Sequence, residues 1–581
     1  MFSSANHFLS KINDYTRTKL SSTSRILFEI SDSLKRNSLN LARTALAHPL
    51  LPNVPVVEGD LLEIHEPLLN GKGTGFGEMV EKGWKTAVRN FSLLSQFALG
   101  FRAKCVFVAD PELICYLFRN KYIREYDISG LFRAAFGGDT TFSLPPRDRV
   151  RLKQRGLLMK HLFSSDGLAS SLAVMREKIG ERLNKIKTGE EIRSFNFANF
   201  IALDVIGKSQ LCAETLPDES KLRIADIINR IIEVILNPVV LIAFQNLPER
   251  DAMNLLSLCT DFPKLLDEAK KIIKEELSDP NPDILNRLKE KWLPPDDEED
   301  ENNKKTSGKI SEKEKDAILQ KELETIIKML YVAGHETTTK LLFFSLMILG
   351  DAQYADILKK IREEIESVRA RAGDPSQWTA EDFLGMKYLQ SFLLEVLRLY
   401  PPIPDMICGI QADNPEHRIP FGDGFLYDGD TVVISARYVH KLKQFWGEDA
   451  DLFRPERFYD RESLNFPWSW FFFPFGIGDF GPWNPKAEAG ITEKYGNIGK
   501  MCPGQNFARV EAATAIVMAL ERFDFVASDT VNHQTDYFQK LTLDVREPLK
   551  SDATITFYEK QLKEKQAACN PENGPVIRNT K

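Results

Sequence analysis

The chain has 581 residues, of which 43% are hydrophobic, and a formal net charge of −7 at pH 7. This apolar content supports a large buried core, and the acidic balance, without a basic stripe, argues against a nucleic-acid partner. The seven cysteines show no CxxC spacing, so the sequence favours neither a disulfide framework nor a zinc site and indicates an intracellular, reducing compartment.

Residues 1–60 are predicted to form a helical extension in front of a catalytic body, because scattered apolar residues such as Phe2, Leu9 and Ile12 alternate with polar ones. No stretch reaches the roughly 18 to 20 apolar residues that cross a bilayer, so no membrane-spanning helix is expected. Two interpretations stay open, an ordinary surface helix and an amphipathic helix that lies on a membrane. The protein is therefore expected to be cytoplasmic or peripherally associated with a membrane.

The first regular elements of the body are predicted shortly after residue 100. The run CVFV at residues 105–108 predicts a short buried strand, and Pro111 then opens a helix at a position that needs no N–H group. Helical patterns continue to about residue 280. The segment from about 294 to 315 is too polar to bury and is expected to be a mobile acidic loop.

The second half of the chain predicts a long central helix over roughly residues 314–349 and another helix over about 388–400. A small sheet is expected between about 417 and 436, where a DGD turn precedes the β-prone run TVVIS. The fold class is therefore mainly α with a minor β part. The catalytic domain is placed at residues 61–555 and a C-terminal tail at 556–581.

The first chemical motif is KMCPGQNFA at residues 500–508, which precedes a helical pattern. Pro503 is expected at the first helical position, so that Cys502 stands at the cap, where free N–H groups and the positive helix end favour a thiolate. Gly504 would let a flat macrocycle approach the backbone, and the aromatic turn at residues 473–476 would shield one of its faces. Taken alone, a single cysteine is more often a small buried hydrophobic residue.

The second motif is AGHETT at residues 333–338, in the middle of the predicted long helix. A glycine there costs about 1 kcal/mol relative to alanine, so it either opens space beside a ligand or permits a close contact between helices. Glu336 and Thr337 place an acid beside an alcohol, a combination suited to proton delivery to bound oxygen. His335 is expected to face elsewhere and not to bind a metal.

The third motif combines Glu395 and Arg398, three residues apart in the apolar run FLLEVLRLY, with Arg457 in FRPERF. Spacing of three puts both charges on one helix face. Within an apolar helix they predict a buried ion pair, and a second arginine would supply the further hydrogen bonds that such a pair needs. The predicted role of this triad is structural.

In this order the motifs make the chain resemble the cytochrome P450 family over roughly residues 70–550. The resemblance implies the cytochrome P450 fold and a haem b (heme b, iron protoporphyrin IX) whose iron is ligated by the Cys502 thiolate. It also implies that Glu336 and Thr337 are catalytic and that the triad supports the haem-binding loop. The predicted cofactor-binding residues are Phe473, Gly476, Lys500, Cys502, Gly504, Arg151 and Arg155.

The chain departs from the family pattern at three places. About twenty extra residues, 479–499, are inserted between the aromatic turn and the cysteine. Lys500 stands where an arginine is usual, and it can pair with a haem propionate only as a point charge. Cys408 stands where many members have a propionate-binding arginine. Arg151 and Arg155 are chosen for the propionates from a basic cluster that equally fits a solvated helix face.

The resemblance implies a monooxygenase that inserts one oxygen atom from O2 into an apolar, lipid-like or terpenoid substrate. Electrons are expected from a separate reductase or ferredoxin, because no flavin or nicotinamide module is recognised in the sequence, and the protein is expected to be a monomer. Two alternatives stay open, an oxygen-independent peroxide isomerase or peroxygenase and a non-catalytic haem-binding protein. The predicted pocket residues are Phe132, Phe136, Ala333, Met406 and Ile407.

Overall fold

A computed structural model describes most of the chain between residues 105 and 560. The main described ranges are 105–120, 122–125, 162–211, 217–235, 264–268, 312–410, 418–421, 424–428, 430–459, 471–478, 501–528 and 553–560, with short pieces at 56–57, 90–93, 140, 156, 158, 271, 481–482, 537–539 and 543–545. Three predicted segments therefore lie wholly or mostly outside the described residues: the N-terminal extension, the acidic loop as far as residue 311, and the insertion at 479–499.

Helices dominate the described residues, as predicted. In chain order they are α1 (Pro111–Arg119), α2 (Ser165–Asn184), α3 (Ser194–Leu211), α4 (Asp218–Ile235), α5 (Glu312–Gly350), α6 (Ala355–Ala372), α7 (Ala380–Leu384), α8 (Lys387–Leu399), α9 (Ala436–Val439), α10 (Lys443–Trp446), α11 (Glu456–Tyr459) and α12 (Gln505–Arg522). Helix α1 begins as predicted, with Pro111 in its first turn and the Asp110 side chain accepting the Glu112 N–H at 2.9 Å.

The strands are short and belong to several small sheets. They are β1 (Val56–Val57), β2 (Asn90–Leu93), β3 (Cys105–Val108), β4 (Ile123–Glu125), β5 (Glu191–Arg193), β6 (Asp405–Ile410), β7 (Ile419–Phe421), β8 (Gly424–Leu426), β9 (Thr431–Ser435), β10 (Ile477–Gly478), β11 (Gly481–Pro482), β12 (Phe523–Ala527), β13 (Tyr537–Gln539), β14 (Leu543–Val545) and β15 (Thr554–Glu559). The buried strand predicted at residues 105–108 is confirmed as β3. The region between 417 and 436 does contain strands, but β7 and β8 form a two-stranded sheet of their own and β9 belongs to the six-stranded sheet.

The largest sheet has six strands in the order β1-β2-β3-β9-β6-β4. Strand β9 is its centre: it runs parallel to β3, with Val433 opposite Phe107, and antiparallel to β6, with Val433 opposite Ile407. The inner strands bury a small hydrophobic core with helix α1, which includes Val106, Ile114 and Ile434. This arrangement fixes β6, the strand that carries the predicted pocket residues.

Three predicted boundaries are wrong. Val56 and Val57, assigned to a helical extension, form β1 and pair with β2. Residues 312–315, assigned to the acidic loop, are the first turn of α5. The boundary between residues 555 and 556 cuts β15, which pairs with both β12 and β5. The two strands are ordered by partners remote in sequence, β2 for β1 and both β12 and β5 for β15, whereas residues 312–315 extend α5 by one turn.

Helix α5 is the centre of the larger core, as its length and apolar character predict. It is buried on all sides from residue 338 to 350, and it packs against α3, α8, α12 and β12. Its contact with α3 is close in both directions. A Cβ at Gly334 would lie 2.7 Å from Ile206 Cδ1, and a Cβ at Gly207 would lie 3.2 Å from the Tyr331 hydroxyl. The close contact between α3 and α5 therefore accounts for a glycine at position 334.

A buried charge cluster joins α2, α3 and α4, and we call it the helix clamp: Arg182, Asp204, Asp218 and Lys221. Arg182 Nε lies 2.7 Å from Asp204 Oδ2, and its Nη2 lies 2.6 Å from Asp218 Oδ1. The Lys221 ammonium also pairs with Asp204. Three of the four side chains are at most 6% exposed, whereas Asp218 is 46% exposed. The helix clamp holds the N-terminal end of α4 against the two preceding helices.

Within the residues that the structure describes, no single helix is both long and apolar enough to cross a bilayer, although the bent pair Met329–Gly350 and Ala352–Ala372 meets the length and composition criteria together.

Candidate active site

The backbone at Cys502 is held by a hydrogen bond to a residue remote in sequence. The Cys502 N–H donates to the carbonyl of Phe475 at 2.8 Å, and the neighbouring residues Met501 and Gln505 are 3% and 5% exposed. The Cys502 side chain is nevertheless exposed. A thiol that is accessible while its neighbours are buried is presented by the fold to a partner, and this contradicts the interpretation of Cys502 as a small buried hydrophobic residue.

The helix after Cys502 begins later than predicted. Gly504 is the N-cap of α12 and its carbonyl accepts the Ala508 N–H at 2.9 Å, so Pro503 lies before the helix and Cys502 lies two residues before the cap. The prediction that Cys502 is itself the cap is wrong, because Pro503 and Gly504 form a turn instead of the first helical turn. The sulfur still lies at this helix end, since a Cβ on the N-cap residue would be 3.9 Å from Cys502 Sγ.

Gly504 is not required by the packing of the protein itself. The protein atom nearest to a Cβ at this position is Phe163 Cε1, at 3.6 Å, which is an ordinary van der Waals contact. The added carbon would instead occupy the space beside Cys502 Sγ. A flat group bound at the sulfur therefore fits the residues that are present, and the glycine is explained by that group better than by the fold.

The aromatic turn at residues 473–476 lies directly beside Cys502. Gly476 has a φ of +84° and donates its N–H to the Phe473 carbonyl at 2.9 Å, so the turn uses a backbone conformation that favours glycine. Phe473 is 2% exposed and packs in the core beneath the six-stranded sheet, whereas Phe475 is half-buried. The partly accessible ring of this turn therefore belongs to Phe475, which the sequence analysis did not single out.

The triad is buried and paired as predicted. Arg398 Nε and Nη2 each lie 2.7 Å from one carboxylate oxygen of Glu395, and both side chains have no exposed surface. Arg457 Nε lies 3.4 Å from Glu395 Oε1, and the Arg457 Nη1 group donates to the Trp446 carbonyl at 2.6 Å. The bidentate geometry offsets the loss of hydration that burial imposes on both charges.

Arg398 also organises irregular backbone. Its Nη groups donate to the carbonyls of His440, Ala450 and Leu452 at 3.0, 2.6 and 3.1 Å. The Glu395 carboxylate in turn accepts the Arg454 N–H at 2.8 Å. The triad thus satisfies buried backbone groups of the segment that precedes the aromatic turn.

The middle of α5 presents a partly exposed face, which includes Ala333 and Thr337. Thr337 Oγ1 donates to the Ala333 carbonyl at 2.7 Å, one turn back, as predicted. Glu336 is 3% exposed and forms an ion pair with Lys340, one turn further along, which is 1% exposed. Sequence analysis missed Lys340, although its spacing of four from Glu336 was a usable signal.

His335 faces away from this region, as predicted. It is 1% exposed and its Nε2 contacts the side-chain oxygen of Asn199 on α3. Burial lowers the pKa of His335 to about 4, so the ring is neutral at pH 7. It belongs to the contact between α3 and α5.

The remaining predicted site residues fall into two groups. Met406 and Ile407 are the half-buried residues of β6, whereas Cys408 is fully buried in the sheet core. The following predicted residues lie outside the described residues: Phe132, Phe136, Arg151, Arg155 and Lys500.

Comparisons with known proteins identify the family of the chain. The sequence model of the family described as "Cytochrome P450" matches residues 95–479, more than half of the chain. The match ends at the first residue of the predicted insertion, so the assignment of Cys502 depends on its motif and geometry.

Three curated relatives illustrate the likeness. The chain is 31% identical over 209 residues to "Cytochrome P450 72A68" of Medicago truncatula, covering 36% of this chain and 34% of the relative. It is 31% identical over 221 residues to "Cytochrome P450 52A6" of Candida tropicalis, covering 36% of each. It is 29% identical over 206 residues to "11-oxo-beta-amyrin 30-oxidase" of Medicago truncatula, covering 36% and 33%.

The matched segments span about one third of the length of these curated relatives. The family implies a haem whose iron is held by a cysteine thiolate. The family match covers more than half of the chain and the described residues are mainly helical, so the predicted fold is confirmed. The chain belongs to the cytochrome P450 family.

Proposed function

We propose that the chain is a haem-thiolate monooxygenase in which Cys502 ligates the iron of haem b. It inserts one oxygen atom from O2 into an apolar substrate, with electrons supplied by a separate reductase or ferredoxin. The observation that carries this proposal is the exposed Cys502 sulfur on a fixed backbone, beside a glycine that protein packing does not require. The bound haem supplies the activation of O2.

The residues around Cys502 divide the task of holding the cofactor. The backbone hydrogen bond from Cys502 to Phe475 fixes the sulfur, and Gly504 leaves room beside it. The aromatic turn lies against the same loop. We propose that positive charges pair with the propionates, and the residues assigned to this role are Lys500, Arg151 and Arg155.

Glu336 and Thr337 are proposed to deliver protons. The Thr337 hydroxyl donates to the Ala333 carbonyl, so its oxygen lone pairs remain available to accept a hydrogen bond from a bound group. The Glu336 carboxylate is held in place by Lys340. In this proposal Glu336 turns away from Lys340 and takes up a proton from solvent; Thr337 releases the Ala333 carbonyl, passes its own hydroxyl proton on into the pocket and accepts the proton of Glu336 at Oγ1.

The substrate is proposed to be lipid-like or terpenoid. The half-buried residues Ala333, Met406 and Ile407 offer apolar or weakly polar surface. The name of one relative, 11-oxo-beta-amyrin 30-oxidase, supports the same substrate class. Phe132 and Phe136 are proposed to complete the pocket. We further propose that the protein is an intracellular monomer, free in the cytoplasm or bound peripherally to a membrane.

The ferrous carbon monoxide spectrum tests the ligand. The wild-type protein is expected to give the red-shifted Soret band of a thiolate-ligated haem, and Cys502→Ala is expected to lose it. Cys115→Ser is the matched control, because this half-buried cysteine lies on α1, and it should keep the band. A wild-type spectrum without the thiolate band, or a Cys502→Ala spectrum that retains it, would contradict the proposal.

A second candidate function has one observation in its favour. Lys340 stabilises Glu336 as a carboxylate, and a carboxylate held in this way is a poor acid. An oxygen-independent enzyme that rearranges or consumes peroxides needs no such acid. Oxygen consumption in the presence of a reductase separates the two: a monooxygenase consumes O2 in proportion to product, whereas the peroxide enzyme turns over without O2.

Thr337→Ala tests the proton route within the monooxygenase proposal. It should preserve the thiolate band while electrons are diverted from product to hydrogen peroxide. Thr514→Val is the matched control, because Thr514 makes the same kind of bond on α12, to the Val510 carbonyl at 2.7 Å. Fully coupled turnover in Thr337→Ala would show that the assigned route is wrong.

A further inference from the structure

We infer that His440 is a positioning residue for the cysteine loop, by which we mean the described residues 473–478 and 501–504: its imidazole accepts the Phe473 N–H and so transmits the position of the triad to Cys502. This inference rests on the proposed function, because the consequence of the contact is the geometry of the thiolate.

The backbone of His440 is fixed on both sides. It is the C-cap of α9, its N–H donates to the Ala436 carbonyl at 2.8 Å, and its own carbonyl accepts Arg398 Nη1 at 3.0 Å. The side chain has no exposed surface. The triad therefore sets the place from which the imidazole reaches the aromatic turn.

The imidazole fixes the start of the aromatic turn. Its Nε2 lies 3.0 Å from the backbone nitrogen of Phe473, and its ring centroid lies 5.0 and 5.2 Å from the rings of Phe472 and Phe473. A backbone N–H only donates, so Nε2 accepts and the proton of the neutral ring is on Nδ1. Burial, with a further contribution from Arg398, lowers the pKa of His440 to about 3, so the ring remains neutral under ordinary conditions.

The aromatic turn passes the constraint on to the cysteine. The Gly476 N–H closes the turn on the Phe473 carbonyl at 2.9 Å, and the Phe475 carbonyl accepts the Cys502 N–H at 2.8 Å. The aromatic turn is therefore joined to His440 by the hydrogen bond from Phe473 and to Cys502 by the hydrogen bond at Phe475.

The covalent chain between the aromatic turn and Cys502 is too long to fix the distance between them. The residues between Gly478 and Met501 would span on the order of 70 Å if fully extended, so they place almost no limit on the separation of the turn and the cysteine. The hydrogen bond from Cys502 to Phe475, together with the packing of Met501 in the hydrophobic core, holds the two segments at their separation. For this reason the hydrogen-bond acceptor on His440 influences the position of the Cys502 sulfur, although the two residues are far apart in the sequence.

Two substitutions distinguish the acceptor from the bulk of the ring. His440→Gln keeps an oxygen that can accept the Phe473 N–H, whereas His440→Phe keeps an aromatic ring without an acceptor. Trp378→Phe is the matched control, because it removes one buried hydrogen bond, from Nε1 to the Gly373 carbonyl at 2.9 Å, in a region away from the loop.

The readouts are the fraction of the ferrous carbon monoxide complex with the thiolate band, its rate of decay, and the reduction potential of the iron. In His440→Phe the decay should be about tenfold faster, which corresponds to the loss of one hydrogen bond, and the reduction potential should shift. His440→Gln should stay within about twofold of wild type on the same scale. Trp378→Phe should lower only the stability of the fold.

The outcomes separate the two proposals. A wild-type protein without the thiolate band overturns the proposed function and this inference together. A normal wild-type band with no faster decay in His440→Phe than in Trp378→Phe, or with equal losses in the Gln and Phe variants, overturns the inference alone. If the variants do not fold, ¹⁵N NMR of the wild-type imidazole decides: the Nδ1–H tautomer of His440 supports the inference, and an Nε2–H tautomer overturns it.

Discussion

The protein has two buried charge clusters, the triad and the helix clamp. Both compensate charged side chains for the loss of hydration, but they do so with different partners. In the triad, Arg398 donates to Glu395 and to three backbone carbonyls, so the charges also order a segment without regular structure. In the helix clamp, Arg182 pairs with Asp204 and Asp218, and the cluster joins three helices whose backbones already satisfy themselves. The triad therefore orders irregular backbone between His440 and Arg454, whereas the helix clamp holds helices against one another.

This difference has an energetic consequence. Removing one partner of a buried pair leaves an uncompensated charge, which typically costs about 3 to 5 kcal/mol. In the triad, the loss of Arg398 also leaves buried backbone carbonyls without a hydrogen-bond donor, and each of them lowers the free energy of unfolding by about 1 kcal/mol or more. In the helix clamp Asp218 is half-exposed, so water can hydrate its carboxylate when a partner is removed. Four predictions, from the largest effect to the smallest, test this comparison.

The largest effect is expected for Arg398→Leu. The substitution leaves the Glu395 carboxylate with only Arg457 and the Arg454 N–H as partners and removes the donor from three backbone carbonyls, so the free energy of unfolding should fall by about 5 kcal/mol. The thiolate band should be lost at the same time, because the support of His440 is lost. Urea denaturation and the carbon monoxide spectrum measure the two effects.

Arg362→Leu is the control for Arg398→Leu. Arg362 pairs with Asp524 at 2.5 Å, but the two side chains are 33% and 55% exposed. Its loss should change the free energy of unfolding by less than about 1 kcal/mol and leave the spectrum unchanged. Equal effects of the two substitutions would remove the basis of the comparison.

Asp204→Leu should have the next largest effect. It leaves Arg182 and Lys221 with Asp218 alone, which lies 3.5 Å from the Lys221 ammonium, so the free energy of unfolding should fall by about 3 to 4 kcal/mol. The fraction of folded protein with the thiolate band should stay at the wild-type value. A spectrum that deteriorates as much as in Arg398→Leu would show that the helix clamp also supports the cysteine loop.

Lys340→Met should have a smaller effect, about 2 kcal/mol at pH 7, because a buried carboxyl group that loses its cation can bind a proton instead. The loss should shrink at pH 5, where the proton is more readily supplied. The double variant Lys340→Met with Glu336→Gln removes both charges and should recover most of the stability. A double variant less stable than Lys340→Met would show that the two residues do not act as a pair.

The smallest effect concerns Asp218, in which hydrogen bonding to Arg182 lowers the pKa to about 2 from the usual 3.8. Its contribution is therefore fully present above about pH 4 and is lost as the pH falls through about 2. Asp218→Asn should lower the free energy of unfolding by about 1 kcal/mol at pH 7, and this difference should vanish near pH 2. A difference that grows on acidification would have the wrong sign for this ion pair.

The features that the sequence predicted correctly are those that depend on neighbours along the chain. The spacing of three between Glu395 and Arg398 places both on one helix face whatever surrounds that helix. Pro111 marks the start of α1 through its missing N–H, and the apolar length of the segment around residue 340 predicts a helix that crosses the core. The bond from Thr337 to the carbonyl one turn back is likewise local.

Other features were decided only by the tertiary structure. Gly334 is explained by Ile206 on another helix, β15 is ordered by two remote strands, and the start of α12 is set by a turn that meets Phe475. The helix clamp and the contact between His440 and Phe473 each involve residues from separate elements, so no spacing along the chain predicts them. Periodicity shows that a face is buried but not against which partner, because the partner is chosen by packing in three dimensions.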